Sequence, residues 1–231
     1  MVIRAALAAL RQVFSAPLRA ILWKSLGLTL GLLALVWFGL TRLIQWVQAS
    51  HHISQSYPVL DTLAYYLAGL GLFVGLIYVM PAVSILVAGF FLDDAAEIVE
   101  RTDFPGEPVG RAMRLSTALL YAVRFAGLTL LVNLAALAVF FVPVVGVAAF
   151  FAANAYLLSR EYFEMAAARY RPLPEAAAMR RANGATTLTG GALLAGLMVV
   201  PVVNLLTPLF GIALMVHLHK GVSRRLPAPA R

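Results

Sequence analysis

Two uncharged runs of 35 residues, 125–159 and 182–216, constrain this chain more than any other feature. As one straight helix, each reaches roughly 50 Å, well beyond the ~30 Å hydrocarbon core of a bilayer. Divided into two complete spans, each leaves arms of about 15 residues, too short to cross. Both runs are broken at the centre. The first holds "FFVPVVG", with Pro143 and Gly146; the second holds "VVPVVNLLTPLFG", with Pro201, Asn204, Pro208 and Gly211. Proline removes a backbone donor and clashes with the preceding turn, so such clusters bend or end helices. Each run therefore reads as two arms meeting at a proline-rich tip, a re-entrant hairpin that enters the lipid partway and returns. Irregular backbone at that depth is tolerated where protein or water surrounds it. The alternative is one kinked span per run.

Charge provides an independent reading. Two shorter uncharged runs, Ser25–Thr41 and Thr62–Leu92, precede the long pair. Lys and Arg residues number four before the first run, then one, four and five in the successive connectors, and four after the last run. Four simple spans put the five-arginine connector outside, against the tendency of basic loops to stay cytoplasmic. If the two long runs return to the side they left, every basic segment is cytoplasmic and only residues 43–61 face out. The chain is 62% hydrophobic and 12% charged, against about half and about a quarter in soluble domains. The net charge of +8 then points to headgroup-facing loops, with no aromatic and basic interleaving that suggests nucleic acid. Cysteine is absent, which excludes disulfides and thiolate chemistry.

The expected fold is an all-α integral membrane protein, with two full transmembrane helices, two re-entrant helical hairpins and an N-terminal interfacial helix. Taken as a single membrane domain, 1–231, it divides as follows. An interfacial helix (1–16) leads to a first span (20–48) and a second (60–92). A cytoplasmic helical connector (93–124) leads to the first hairpin (125–160), a second connector (161–181) to the second hairpin (182–220), and a tail (221–231) follows. The first helix is read from Val2, Ile3, Ala6, Leu7, Leu10, Val13 and Phe14 at helical spacing, with Arg4 and Arg11 on the other face. "VMPAV", "FVPVV" and "VVPVV", around Pro81, Pro143 and Pro201, form a faint internal repeat of the kind from which transporters are built.

The connectors hold the candidate chemistry. Glu97 and Glu100 are three apart and share a helix face. "DFPGEP" then reads as a turn, after which Arg111 and Arg114 open a second helix. Arg160 and Glu164 are four apart and form an exposed pair, or line a polar path near a hydrophobic helix end. Tyr156, Tyr162 and Tyr170 suit an aromatic belt at the interface. His217 and His219 face different ways on a helix, which makes them headgroup-facing residues in preference to a metal pair. No catalytic motif, metal site or cofactor site is indicated.

"APLR" before the first span, "GFFLDDAAEIVE" after the second, "ANAYLLSREYF" and "VVPVVNLLTPLFGIALMVHL" occur in an order that resembles the CysZ-type sulfate permeases and the wider etoposide-induced membrane protein family, over about residues 5–222. The resemblance implies two full spans with two half-penetrating hairpins, often in a homo-oligomer, and sulfate uptake feeding cysteine synthesis. A Gly-Leu-Arg motif before the first span is linked in that family to sulfate binding. Here Pro17-Leu18-Arg19 stands in its place, so Leu18 and Arg19 carry over as the implied anion site. The chain departs from the family where it has Glu161-Tyr162-Phe163 for an Asp-Tyr-Pro sequence.

These readings combine into one expectation. The chain is a non-enzymatic, ATP-independent permease for sulfate or a similar small oxyanion in a bacterial inner membrane, with both termini cytoplasmic. Its partners are the anion, membrane lipids and further copies of itself. Leu18 and Arg19 bind the anion; Glu97, Glu100, Arg160, Glu161 and Glu164 line a polar path. The rival expectation is a non-transporting membrane scaffold or lipid-associated interaction protein.

Overall fold

In a computed structural model, the described residues are 1–50, 69, 71, 91–140, 142, 144–204 and 206–225. All regular structure among them is helical. The chain forms two compact units, one of Met1–Ala20 with Leu92–Arg231 and one of Ile21–Phe91. The expected second span, 60–92, lies outside the described residues except for Gly69, Gly71, Phe91 and Leu92, as do His51 and His52.

The smaller unit holds most of α2 (Ala16–Ser50). Its apolar stretch, Ala16–Arg42, has 27 residues and extends roughly 40 Å, enough to cross a bilayer. Leu30, Leu35 and Phe38 stand exposed along it. At its end the Arg42 guanidinium lies 4.9 Å from the centre of the Phe38 ring, a cation–π contact.

The larger unit opens with α1 (Val2–Val13). The small residues Ala5 and Ala9, with Val13, are buried, and the helix packs on α7 and α9. The bulkier Ile3, Leu7, Leu10 and Phe14 recur every three or four residues on the opposite side and stay exposed. Val13 thus leaves the stripe in which the sequence had placed it. Helical residues 91–103 (α3) end in the turn at 104–107. Residues 108–114 are irregular and α4 (Leu115–Phe140) follows, its first turn closed by Ala118 N–H donating to Arg114 O. Arg111 therefore precedes the helix that it was expected to open.

α4 packs on α5 (Val145–Ala168). α4 ends and α5 begins on either side of the expected tip, whose Pro143 lies outside the described residues. The arms are longer than expected, at 26 and 24 residues. Arg124 and Arg160 end the uncharged run but not the helices, whose ladders continue through both. At about 39 Å, α4 is long enough to cross a membrane. Val144 begins α5 at φ 65° and ψ −49°, near the strained γ conformation and unusual for a β-branched residue.

α6 (Leu173–Ala182) places Glu175 in its first turn and Arg180 and Arg181 in its last, matching the helix dipole. α7 (Gly184–Met198), the short α8 (Pro201–Asn204) and α9 (Thr207–Ser223) form the second broken run. α7 and α9, of 15 and 17 residues, reach only about 22 and 25 Å, less than the hydrocarbon core. α5 is the central helix of this unit, packed on α4, α6, α7 and α9. Its seam with α7 closes at Gly191, where a β-carbon would collide with the Ala155 carbonyl and lie 2.6 Å from Ser159 Cβ. Small residues allow such close approach of apolar helices.

Candidate functional site

The larger unit carries an unusual set of buried charges: Glu100, Glu164, Arg169, Arg180 and Lys220. Burying an ion costs several kcal/mol unless a partner and further hydrogen bonds compensate. Each of these five has a partner, and three linked nodes result.

Arg169 forms the first. Leaving the end of α5, its Nε and Nη2 donate to the two oxygens of Glu100 at 3.0 and 3.2 Å, the forked geometry that suits guanidinium and carboxylate. Nη1 donates to the Asp93 carboxylate and carbonyl, and Nη2 also to Gly110 O at 3.2 Å. The irregular segment closes the ring, with Gly110 N–H donating to Glu100 Oε2 (2.9 Å) and Arg111 N–H to Arg169 O (2.8 Å). Gly110 has to be glycine here, because a β-carbon would sit 2.6 Å from Arg169 Cβ. Burial disfavours the guanidinium charge, but Glu100 and Asp93 outweigh it and raise the Arg169 pKa.

Glu164 forms the second. Arg180 Nε donates to its Oε1 at 2.9 Å and the Tyr121 hydroxyl to its Oε2 at 3.2 Å, while Arg160 Nε lies 3.5 Å from Oε2. The pair expected to be exposed is thus anchored on a buried carboxylate that two arginines share. Lys220 forms the third. Its Nζ lies 3.0 Å from Glu107 Oε2, donates to Pro108 O at 3.2 Å and sits 4.4 Å from the centre of the Tyr170 ring. Arg224 Nε also donates to Glu107, at 2.9 Å. Partial burial opposes the Glu107 charge, but Arg224 and Lys220 prevail and hold its carboxyl below the ordinary range.

These contacts bring together the ends of each long run. Glu100 and Gly110 precede α4 and Arg169 follows α5; Arg180 precedes α7 and Lys220 lies near the end of α9. Within this unit α4 packs on α5 and α7 on α9.

The expected path residues divide. Glu100 and Glu164 are buried in separate nodes. Glu97, which shares a face with Glu100 only on paper, points away and pairs with exposed Arg101 at 2.7 Å. The helix turns far enough over three residues to place one carboxylate inside and the other in solvent. Glu161 is half-buried with no hydrogen-bond or ion-pair partner among the described residues, and burial pushes its carboxyl up to about 7. Leu18 is buried and Arg19 exposed, with no ion-pair partner for Arg19 among the described residues. Ser15 O accepts the Arg19 backbone N–H at 2.9 Å, and Pro17 has none to give. Among the described residues, the amides of Ala16 and Leu18 are therefore the open donors in the first turn of α2.

Two further expectations are corrected. Tyr162 is buried with its ring against Gly211, and Tyr170 packs on Lys220 and His219, so only Tyr156 is exposed as an aromatic belt requires. His219 is buried, stacked at 5.0 Å on Tyr170, and His217 contacts Gln12 and Asp103 at 3.3 and 3.1 Å. His219 does not face headgroups, because its stretch of α9 lies in the interior of the unit. The key partners Arg169, Arg180, Lys220, Glu107 and Tyr121 were not read as a site. Their contacts join residues 16 to 117 positions apart, and no local spacing signals them.

The family described as sulfate transporter CysZ/etoposide-induced protein 2.4 matches residues 5–208. The chain belongs to this family. A CysZ/etoposide-induced family protein is a membrane protein of sulfate-transporter type, and two apolar helices of crossing length among the described residues, Ala16–Arg42 and Ser116–Phe140, agree with that. No curated protein sequence matches the chain significantly. The family match includes Leu18, Arg19 and the Glu100 and Glu164 nodes and ends before Lys220 and Arg224.

Proposed function

We propose that this protein is an ATP-independent permease for sulfate or a similar small oxyanion in a bacterial inner membrane, with both termini cytoplasmic. Its two broken runs dip into the lipid from the cytoplasmic side, α1 lies in the interface on its Ile3–Phe14 stripe, and several copies assemble to complete a route. The reading is carried by Arg19, an exposed guanidinium without a counter-ion among the described residues, one turn into a helix whose Ala16 and Leu18 amides are open. Guanidinium and helix-start amides together suit a tetrahedral oxyanion. The carboxylates of Glu100 and Glu164 are each answered by arginine, which removes the repulsion that free carboxylates present to an anion.

The test is sulfate flux in proteoliposomes. Wild-type protein carries the anion, and Arg19→Ala lowers flux roughly 10- to 100-fold, the worth of one charge-assisted contact. An active protein indifferent to Arg19→Ala overturns the site. A wild type with no oxyanion flux overturns the permease and leaves a scaffold.

A further inference from the structure

A cavity of about 420 Å³ opens where the start of α1 meets the end of α9. Arg4, Arg224 and Arg225 line it, with Met1, Phe104 and His217 among its other walls. Arg224 is held in place, bonded to Glu107 and lying 5.3 Å from the centre of the Phe104 ring. Arg4 and Arg225 are exposed and have no ion-pair partner among the described residues. Of the neighbouring carboxylates, Glu107 is shared by Arg224 and Lys220, and Asp103, 3.1 Å from His217, sets one negative charge against Arg4 and Arg225. The cavity thus keeps an excess of positive charge. The first turn of α1, at the same end, has no side-chain cap, so its amides add donors.

We infer that this cavity binds the phosphate headgroup of an anionic phospholipid. Its volume falls in the range of small-ligand sites and exceeds what a bare phosphate fills. The surroundings favour a lipid over a soluble anion. Ile3, 75% exposed, adjoins Arg4, and Leu7 continues the same uncovered stripe one turn on. An amphipathic helix with an apolar stripe beside arginines lies at the boundary of headgroups and acyl chains. A phosphate held by Arg4 and Arg225 leaves its acyl chains running along Ile3 and Leu7. Arg4, Arg224 and Arg225 lie outside the residues that the family match covers, and the site stands whether or not the protein carries sulfate.

The experiment uses the full chain, purified in detergent and offered equal phosphatidylglycerol and phosphatidylcholine, with retained lipid read by native mass spectrometry. The wild type retains phosphatidylglycerol preferentially. Neutralising Arg4 and Arg225 (R4Q/R225Q) lowers that retention roughly fivefold per arginine. Arg11→Gln, which removes an exposed charge from the same helix outside the cavity, leaves it unchanged. Excess inorganic phosphate does not displace the lipid. Absence of a wild-type preference overturns the inference. So does an equal loss in Arg11→Gln, which marks diffuse surface charge, or full displacement by phosphate, which marks a soluble-anion site. Should R4Q/R225Q not purify folded, wild-type protein is cross-linked to headgroup-photoreactive phosphatidylglycerol. Adducts at Met1, Arg4 or residues 217–225 sustain the site; adducts confined elsewhere overturn it.

Discussion

Arg169 shows how much one side chain holds in this protein. Its guanidinium bonds to two carboxylates and two carbonyls from α3 and the irregular segment after it, and both Arg169 and Glu100 are about 2% or less exposed at the side chain. Removing one member of such a pair leaves a buried charge unanswered, so Arg169→Ala lowers stability by about 3–5 kcal/mol, measured by unfolding in detergent. A loss below about 1 kcal/mol means that the pair is not buried as described. Two carboxylates set opposite pH responses. The Glu161 carboxyl is raised by burial to about 7, so the fold prefers its neutral form. That contribution is complete below the ordinary glutamate value of 4.5 and disappears as pH rises through about 7. Stability therefore declines between those values, and Glu161→Gln flattens the decline. Glu107 is held low, so its contribution is present above 4.5 and fades as pH falls through its lower folded value. Glu107→Gln removes that acid-side loss. Unfolding midpoints of both variants from pH 3 to 9 check the two signs together. Part of this was legible in the sequence: the four-residue spacing offers Arg160 to Glu164, but only the packing of α5 adds Arg180 and leaves Glu161 without a partner among the described residues.

At the scale of the element, the sequence placed the breaks well and the ends poorly. Proline and glycine act on the backbone locally, so the interruptions between Phe140 and Val145 and between Met198 and Pro201 could be read directly. Arg124 and Arg160 were read as helix limits because they end uncharged runs, yet arginine is a good helix former and both helices pass through them. The same distinction explains Glu97 and Glu100, whose shared helix said nothing about which one would meet Arg169. Two substitutions test these elements. Val144 holds a positive φ that a β-branched side chain resists, so Val144→Gly raises stability by about 1 kcal/mol as the strain is relieved. Gly191 sits on the Ala155 carbonyl, and Gly191→Ala forces α5 and α7 apart at a cost of about 1–3 kcal/mol. Thermal unfolding of the purified variants reads both; no change in Gly191→Ala means that the seam is looser than the contact implies.

For the whole molecule, the charge pattern expects every basic segment on one face of the membrane, and ion pairs tie residues 93–107 to Arg169, Lys220 and Arg224. The cysteine-free chain permits a direct check of sidedness. Gly106 and Glu175 are both exposed, and single cysteines there label from the same face of the membrane. Ala176, beside Glu175, is fully buried and unsuited to labelling. Label reaching Gly106 and Glu175 from opposite faces overturns the folded-back arrangement. The Arg169 node also bears on how the protein is made. Glu100 leaves the ribosome 69 residues before Arg169. At about 5–20 residues per second, that acidic side chain waits roughly 3–14 s for its counter-ion, with the whole α4–α5 pair synthesised in between. A nascent chain in that interval carries a carboxylate destined for the interior but still dependent on water or an insertase for its solvation.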